Sequence, residues 1–299
     1  MKKTNLSICG LLILASSSMA LADSSAAAPA GSSETSSAST WDRVADHTAL
    51  TYFGIYRGGS VNDPGNSLQP RIDGSPDPTS PQSLESYITT GYRFDKDMYV
   101  GVVTHFFYFP VGNLSDPKAG TGMDAQMLDP ALVFSKAKLV DNGNGLTIKG
   151  LITATLPLTS PDILRTQGLA TGISPTMVLS WDVPKTKLNL GLYGYVTGYV
   201  PSATAAANAR MYKIYAAPNG SYSLTKTVSA TMWVDLIQAT NTADKPFISG
   251  MSNYTADIEP GISWDITPKL TINPMLNIYP GNPTLAATSF QAVIIGKAF

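Results

Sequence analysis

From Thr48 onward, apolar and polar residues alternate with a period of two over unusually long stretches. Between 187 and 200, Leu188, Leu190, Leu192, Val196 and Val200 share one face, and Asn189, Tyr193, Tyr195, Thr197 and Tyr199 share the other. Between 145 and 157, Leu146, Ile148, Ile152 and Leu156 oppose Thr147, Lys149, Thr153 and Thr155. Between 227 and 238, Val228, Ala230, Met232, Val234 and Leu236 oppose Ser229, Thr231, Trp233 and Asp235. Successive side chains of a strand point to opposite faces, so this pattern predicts strands with one apolar and one polar surface.

The pattern predicts strands near 48–58, 83–94, 97–109, 125–140, 145–157, 170–182, 187–200, 209–223, 227–238, 253–265, 269–279 and 287–299. Most are about 11–15 residues long, whereas strands of water-soluble sheets usually run about 5–6 and a tilted membrane strand needs about 9–11. Length together with apolar-out, polar-in alternation predicts an all-β protein, a transmembrane antiparallel up-and-down barrel of about 12 strands. The connections alternate between short and long. The short ones fall at Asp95-Lys96-Asp97, Asp141-Asn142-Gly143-Asn144, Val183-Pro184-Lys185-Thr186, Leu224-Thr225-Lys226 and Ile266-Thr267-Pro268, most with turn-forming residues at the bend. The long ones fall near 59–82, 110–124, 158–169, 201–208, 239–252 and 280–286. Short turns on one side and long loops on the other are the periplasmic and extracellular ends of an outer-membrane barrel. The loop 59–82 carries Pro64, Pro70, Pro76, Pro78 and Pro81 and is expected to be irregular, a candidate lid.

The ends and the composition sharpen this picture. Lys2 and Lys3, the apolar run from Leu6 to Ala15 and the small residues Ala20 and Ala22 read as a cleaved secretory signal spanning 1–22. Its apolar core is too short to span a bilayer as a helix. Cys9, the one cysteine, lies within that signal ahead of the cleavage point. The mature chain therefore has no disulfide, no thiol chemistry and no lipid anchor. Residues 23–47 form a Ser/Ala-rich periplasmic linker and lead-in, and 48–299 form the barrel. Within the lead-in, Trp41 to His47 reads either as one helical turn at the barrel mouth or as a plain approach to the first strand. Without the signal the chain has 18 basic and 21 acidic residues, a net charge of −3, which excludes a nucleic-acid footprint. After residue 22 no run of 18 apolar residues remains, so only a closed barrel satisfies the backbone groups of a spanning chain.

A motif recurs on strands that run toward the short turns: Pro130-x-Leu132-x-Phe134, Pro175-x-Met177-x-Leu179-x-Trp181, Pro218-x-Gly220-x-Tyr222-x-Leu224 and Pro260-x-Ile262-x-Trp264-x-Ile266. By parity Phe134, Trp181, Tyr222 and Trp264 face lipid near the periplasmic end and form an interfacial aromatic girdle. A proline within a strand lacks its ladder N–H and predicts a bulge or bend. The signal, the strand count, the turns Trp181-Asp182-Val183-Pro184 and Trp264-Asp265-Ile266-Thr267-Pro268 and the terminal Phe299 together resemble Gram-negative outer-membrane β-barrel proteins as a class, over about 48–299. That resemblance implies export to the outer membrane, contact with its lipid and lipopolysaccharide, and insertion by the barrel-assembly machinery, which reads a terminal aromatic behind alternating apolar residues. Phe299, Ile295 and Val293 fit that signal, and Lys297 occupies an expected apolar place.

The candidate site is the interior. Parity turns Glu85, Arg93, His105, Asp129, Lys149, Tyr195, Lys213, Trp233, Asp235, Asp257 and Glu259 inward as lumen-lining candidates. Buried charges are costly unless paired or wet, so these residues either line water or pair and plug the interior. A 12-strand barrel has a backbone radius of roughly 12 Å, which permits both. Two histidines with no matching serine motif, no metal-ligand spacing and no Gly-rich phosphate loop lead to no expected enzyme activity, cofactor or metal. The expectation is a monomeric channel or transporter for small polar or amphipathic solutes. The alternatives are a closed structural or surface-interaction barrel acting through its extracellular loops and, behind that, an outer-membrane hydrolase.

Overall fold

The computed structural model describes residues 47–95, 97–110, 124–158, 164, 167–246, 252–253 and 256–298. The expected signal 1–22, the linker up to Asp46 and the terminal Phe299 lie outside them. Twelve antiparallel strands follow one another around a ring: β1 (Thr48–Ser60), β2 (Ser83–Arg93), β3 (Met98–Phe109), β4 (Ala131–Asp141), β5 (Leu146–Thr155), β6 (Leu169–Asp182), β7 (Leu188–Pro201), β8 (Arg210–Ser223), β9 (Val228–Asp235, continuing as Ile237–Thr242), β10 (Asp257–Thr267), β11 (Leu270–Asn277) and β12 (Ser289–Lys297). Each pairs with its sequence neighbours, and β1 closes the ring on β12 from Thr51–Lys297 to Arg57–Gln291. Closure leaves no unpaired edge. Short pieces Asp124–Met127 and Ser252–Asn253 extend the wall beside β3 and β9. In the long loop after β1, Leu68–Pro70 pairs with Pro76–Pro81 as a small hairpin.

Five tight turns lie at one end and six longer connections at the other, as the alternation of turn chemistry predicts. The tight turns use the left-handed backbone region: Gly143 (φ 70°), Gly145 (φ 89°) and, after β6, Lys185 (φ 62°). The outer face is apolar. Leu132, Ile152, Ile173, Met177, Leu192 and Ile262 are 43–57% exposed and belong to neighbouring or nearby strands. A soluble protein rarely shows so broad an apolar surface, and here it surrounds a wall whose backbone groups are paired.

The repeated prolines sit where the ladders break. At Pro175 the β6–β7 pairs stop at Thr176–Tyr195 and resume at Ile173–Gly198. At Pro260 the β10–β11 pairs stop at Gly261–Met275, and contact resumes at Ile258–Ile278. Pro130 ends an irregular stretch, 128–130, that gives the β4 side one residue more than β3 opposite it. Pro218 faces the break in β9, where pairing with β8 steps from Asn219–Trp233 to Ala216–Ile237. There Leu236 and Ile237 both face outward. That bulge reverses parity, so Asp235 and Gln238, three residues apart, both turn inward.

The inner wall departs from the sequence reading. The inner face is not uniformly polar: Phe53, Ile55, Val103, Val133, Val293 and Ile295 point inward and pack together with Tyr87 and Met275. Val293 and Ile295 therefore do not form the lipid face of the last strand. That face is Phe290, Ala292 and Ile294, and Lys297 shares the inward parity of Gln291 and Val293. The apolar groups here are satisfied by one another across adjacent strands rather than by lipid, and a lysine at 297 reaches the interior of the short-turn end.

Candidate functional site: the charged barrel interior

The interior is divided by height. Toward the long-loop end, β2 and β3 hold a buried carboxylate network. Glu85 is 0% exposed. Its Oε2 accepts from Arg57 Nη1 at 2.6 Å, and its Oε1 meets Tyr87 OH at 2.5 Å and His105 Nε2 at 2.8 Å. The His105 ring stacks on Tyr87 at 4.2 Å. Glu85 is thus saturated by one guanidinium, one imidazole and one phenol, the condition under which a buried charge is tolerated. His105 forms its hydrogen bond with this acid, and among the described residues no serine hydroxyl joins it.

Further round the wall, β7 to β11 build the second cluster. Tyr193, Tyr195, Tyr215 and Trp233 pack together, with Tyr195 and Tyr215 stacked at 5.2 Å and Lys213 Nζ 5.1 Å from the Tyr195 ring centre. Asp235 accepts from Tyr215 OH, from Trp233 Nε1 at 2.8 Å and from Gln238 Nε2 at 2.8 Å. Asp235 stands directly opposite Asp257 in the β9–β10 register, and Trp233 stands opposite Glu259. Asn277 Nδ2 reaches Asp257 Oδ2 at 2.9 Å and Glu259 Oε1 at 3.4 Å. Just beyond β11, the Tyr279 hydroxyl is pushed up to about 12 by burial and then by the carboxylates of Asp257, Glu259, Asp77 and Asp235. Asp77 belongs to the loop after β1, so that loop reaches the neighbourhood of the acidic cluster.

The remaining candidates are more dispersed. Asp129 is buried in the irregular stretch before β4. Toward the short turns, Lys149 of β5 and Lys297 of β12 lie within electrostatic reach of each other, and Arg93 lies within reach of Lys297. Phe134, Trp181, Tyr222 and Trp264 are all exposed on the outer face. Tyr92 and Phe94 join that surface, packed edge to face at 5.4 Å, with His47 stacked on Tyr92. Sequence reasoning missed Arg57, Gln238, Asn277 and Lys297. Each sits on the inward parity of its strand, so parity was the available signal, except at Gln238, which only the bulge turns inward.

The first and last long loops are structured and joined. Asn282 Nδ2 donates to Ile72 O at 2.6 Å, Val61 N to Thr288 O at 2.8 Å and Asn62 N to Leu285 O at 3.3 Å, tying the first long loop to the last. Inside the first loop, Asp77 accepts from Thr79 N at 3.0 Å, Thr79 Oγ1 at 2.8 Å and Ser80 Oγ at 3.1 Å, and pairs with Arg71 at 3.4 Å. Burial alone would raise the Asp77 carboxyl, but these donors outweigh it and hold it below the ordinary carboxylate value.

Comparison with known proteins places the fold. No protein-family model matches the sequence, and no curated protein matches it. Among solved structures, an outer-membrane channel from Pseudomonas putida F1 superposes with a TM-score of 0.52 at 10% identity, over 84% of this chain and 96% of that one. The NanC porin gives 0.46 at 13% identity, over 84% and 100% of the two chains. Outer membrane phospholipase A from Escherichia coli gives 0.38 at 9%, over 84% and 90%. The chain has the fold of outer-membrane β-barrel proteins.

Proposed function

We propose that this chain is an outer-membrane channel for small polar or amphipathic solutes. The observation that carries the reading is the inversion of polarity across one closed wall. Apolar side chains stand 39% or more exposed outside, while Glu85, Asp235, Asp257, Glu259, Lys149 and Lys213 stand inside. Lipid outside and a hydrated, polar path inside is the arrangement that places charge in a membrane at tolerable cost. Export by the signal 1–22, assembly by the barrel machinery, surroundings of lipid and lipopolysaccharide, and a monomeric state belong to the same reading. Purified full-length mature protein in planar bilayers is expected to give discrete conductance steps. Their absence at every salt concentration overturns the channel.

A second reading has its own support. Tyr193 and Phe53 are each 1% exposed although both face inward, and the first and last long loops are hydrogen-bonded to each other. A filled interior with loops held together at one end suits a barrel that acts through its outer loops. Deleting 62–80 separates the two: a channel changes conductance, whereas a surface-interaction barrel loses a surface phenotype at unchanged permeability.

A further inference from the structure

The interior treats its buried acids in two ways. Glu85 has a guanidinium and an imidazole. Asp235, Asp257 and Glu259 have neutral donors alone: Tyr215, Trp233, Gln238 and Asn277. Among the described residues none of these three is ion-paired. Two of them, Asp235 and Asp257, are direct cross-strand neighbours, an arrangement that destabilises a sheet when both carry the same charge. The Arg57 guanidinium is hydrogen-bonded to Glu85 and the Lys213 ammonium lies over Tyr195; both are within electrostatic reach of Asp235, and Arg57 also of Asp257 and Glu259, but neither makes an ion pair with these acids.

Independently of those charges, Asn277 is 6% exposed and its Oδ1 has no hydrogen-bond partner, while its Nδ2 is held between Asp257 and Glu259. Asp257, 7% exposed, likewise keeps Oδ1 without a partner. Buried acceptors are rarely left open, because each open one carries its full desolvation penalty. Two open acceptors beside three unpaired carboxylates call for donors that also bring positive charge.

The shape of the cluster selects among cations. No group of three or more acidic or metal-ligating side chains among the described residues converges closely enough to hold a metal ion. The acceptors are instead spread along β9, β10 and β11, beside the rings of Tyr215 and Trp233, which meet Asp235 through their O–H and N–H groups. A guanidinium or ammonium group carries several N–H donors in fixed directions and is attracted to aromatic faces. We propose that Asp235, Asp257, Glu259 and Asn277 form a binding subsite for a small organic cation, with Tyr215 and Trp233 as its apolar wall. The site gives the solute class of the channel proposed above and rests on that reading. The bulge at Leu236–Ile237 is part of its construction, because it brings Gln238 onto Asp235.

Trp233 donates to Asp235, so its emission reports on the site. The test uses the folded full-length mature protein in detergent, with Trp41, Trp181 and Trp264 each replaced by Phe. Methylguanidinium chloride is titrated against its neutral isostere N-methylurea, and calcium chloride is titrated separately. The expected result is a saturable change in Trp233 emission with methylguanidinium and none with N-methylurea. Affinity is expected to fall at least tenfold in Asp257→Asn/Glu259→Gln and to stay unchanged in Asp141→Asn at a tight turn. Retention of the folded, heat-modifiable gel band certifies each variant. A response to N-methylurea, a response to calcium alone, or methylguanidinium binding that survives in the double variant overturns the subsite. Bilayer conductance is measured in parallel. Conductance steps without methylguanidinium binding remove the subsite and leave the channel, whereas binding without conductance leaves the subsite and removes the channel.

Discussion

At the scale of single residues, Glu85 decides most. Fully buried, it accepts from Arg57, Tyr87 and His105, and it joins β1, β2 and β3. Glu85→Ala leaves Arg57 as a largely buried cation without its acid, a change that costs about 3–5 kcal/mol in comparable buried pairs. The temperature or urea concentration that converts the folded gel band to the unfolded one is expected to drop markedly. Glu85→Gln keeps an oxygen for Arg57 and a similar volume, so its drop is expected to be smaller. Equal stability of Glu85→Ala and the unaltered protein would remove the network from the list of features that hold the barrel together.

At the scale of the strand, one residue of shift reverses every side chain, and the facing can be read directly. Leu190 and Val234 lie on the outer parity, and Tyr195 and Asp235 on the inner one. Leu190→Arg and Val234→Arg are each expected to reduce assembled barrel, at about 2–4 kcal/mol near the middle of the bilayer. Single cysteines at 195 and 235 are expected to react with aqueous probes and those at 190 and 234 with lipid-phase ones; the reverse assignment would break the register. The first long loop has a different sensitivity. Its Asp77 sits below the ordinary carboxylate value in the folded state because Thr79, Ser80 and Arg71 hold the charged form. A lowered value in the folded state gives stabilisation that is complete above the free side chain's value and is lost as pH falls through the lowered one. Proteolysis within 61–82 is therefore expected to be slow at neutral pH and to accelerate only on acidification below the ordinary carboxylate range. A cleavage rate unchanged over that range would show that Asp77 does not hold the loop.

At the scale of the molecule, closure and polarity act together. The β1–β12 ladder turns an open sheet into a cylinder, and only then do the outward apolar residues become a belt and the inward ones a shared interior. Closure brings Phe53 and Ile55 of the first strand against Val293 and Ile295 of the last, so much of one inner wall is apolar seam and its Glu85 charge is paired. The acids without an ion pair, Asp235, Asp257 and Glu259, gather on β9 and β10, beside the β11 end of that seam and within electrostatic reach of Arg57. These acids form a one-sided cluster rather than a ring of charge.

The amino-acid sequence by itself determined the number of strands, their approximate positions, the alternation of tight turns and long loops, and the facing of regular stretches such as 188–200. These are local: a period of two and the turn residues at its ends need no knowledge of neighbours. The same local reading found nine acidic, basic and histidine side chains and two aromatics as inward candidates. It could not pair them. Arg57 finds Glu85 across 28 positions, and Asn277 finds Asp257 across 20, because ladder register and closure set those contacts. Nor could it foresee that Val293 and Ile295, which fit the terminal insertion signal, turn inward against Phe53 and Ile55, since apolar alternation is the same whether the partner is a lipid tail or another strand's apolar face. The bulge at Leu236–Ile237 belongs to the tertiary structure as well. An extra residue is recognisable only against the strand it faces, and this one turns Gln238 inward and completes the hydrogen bonding of Asp235.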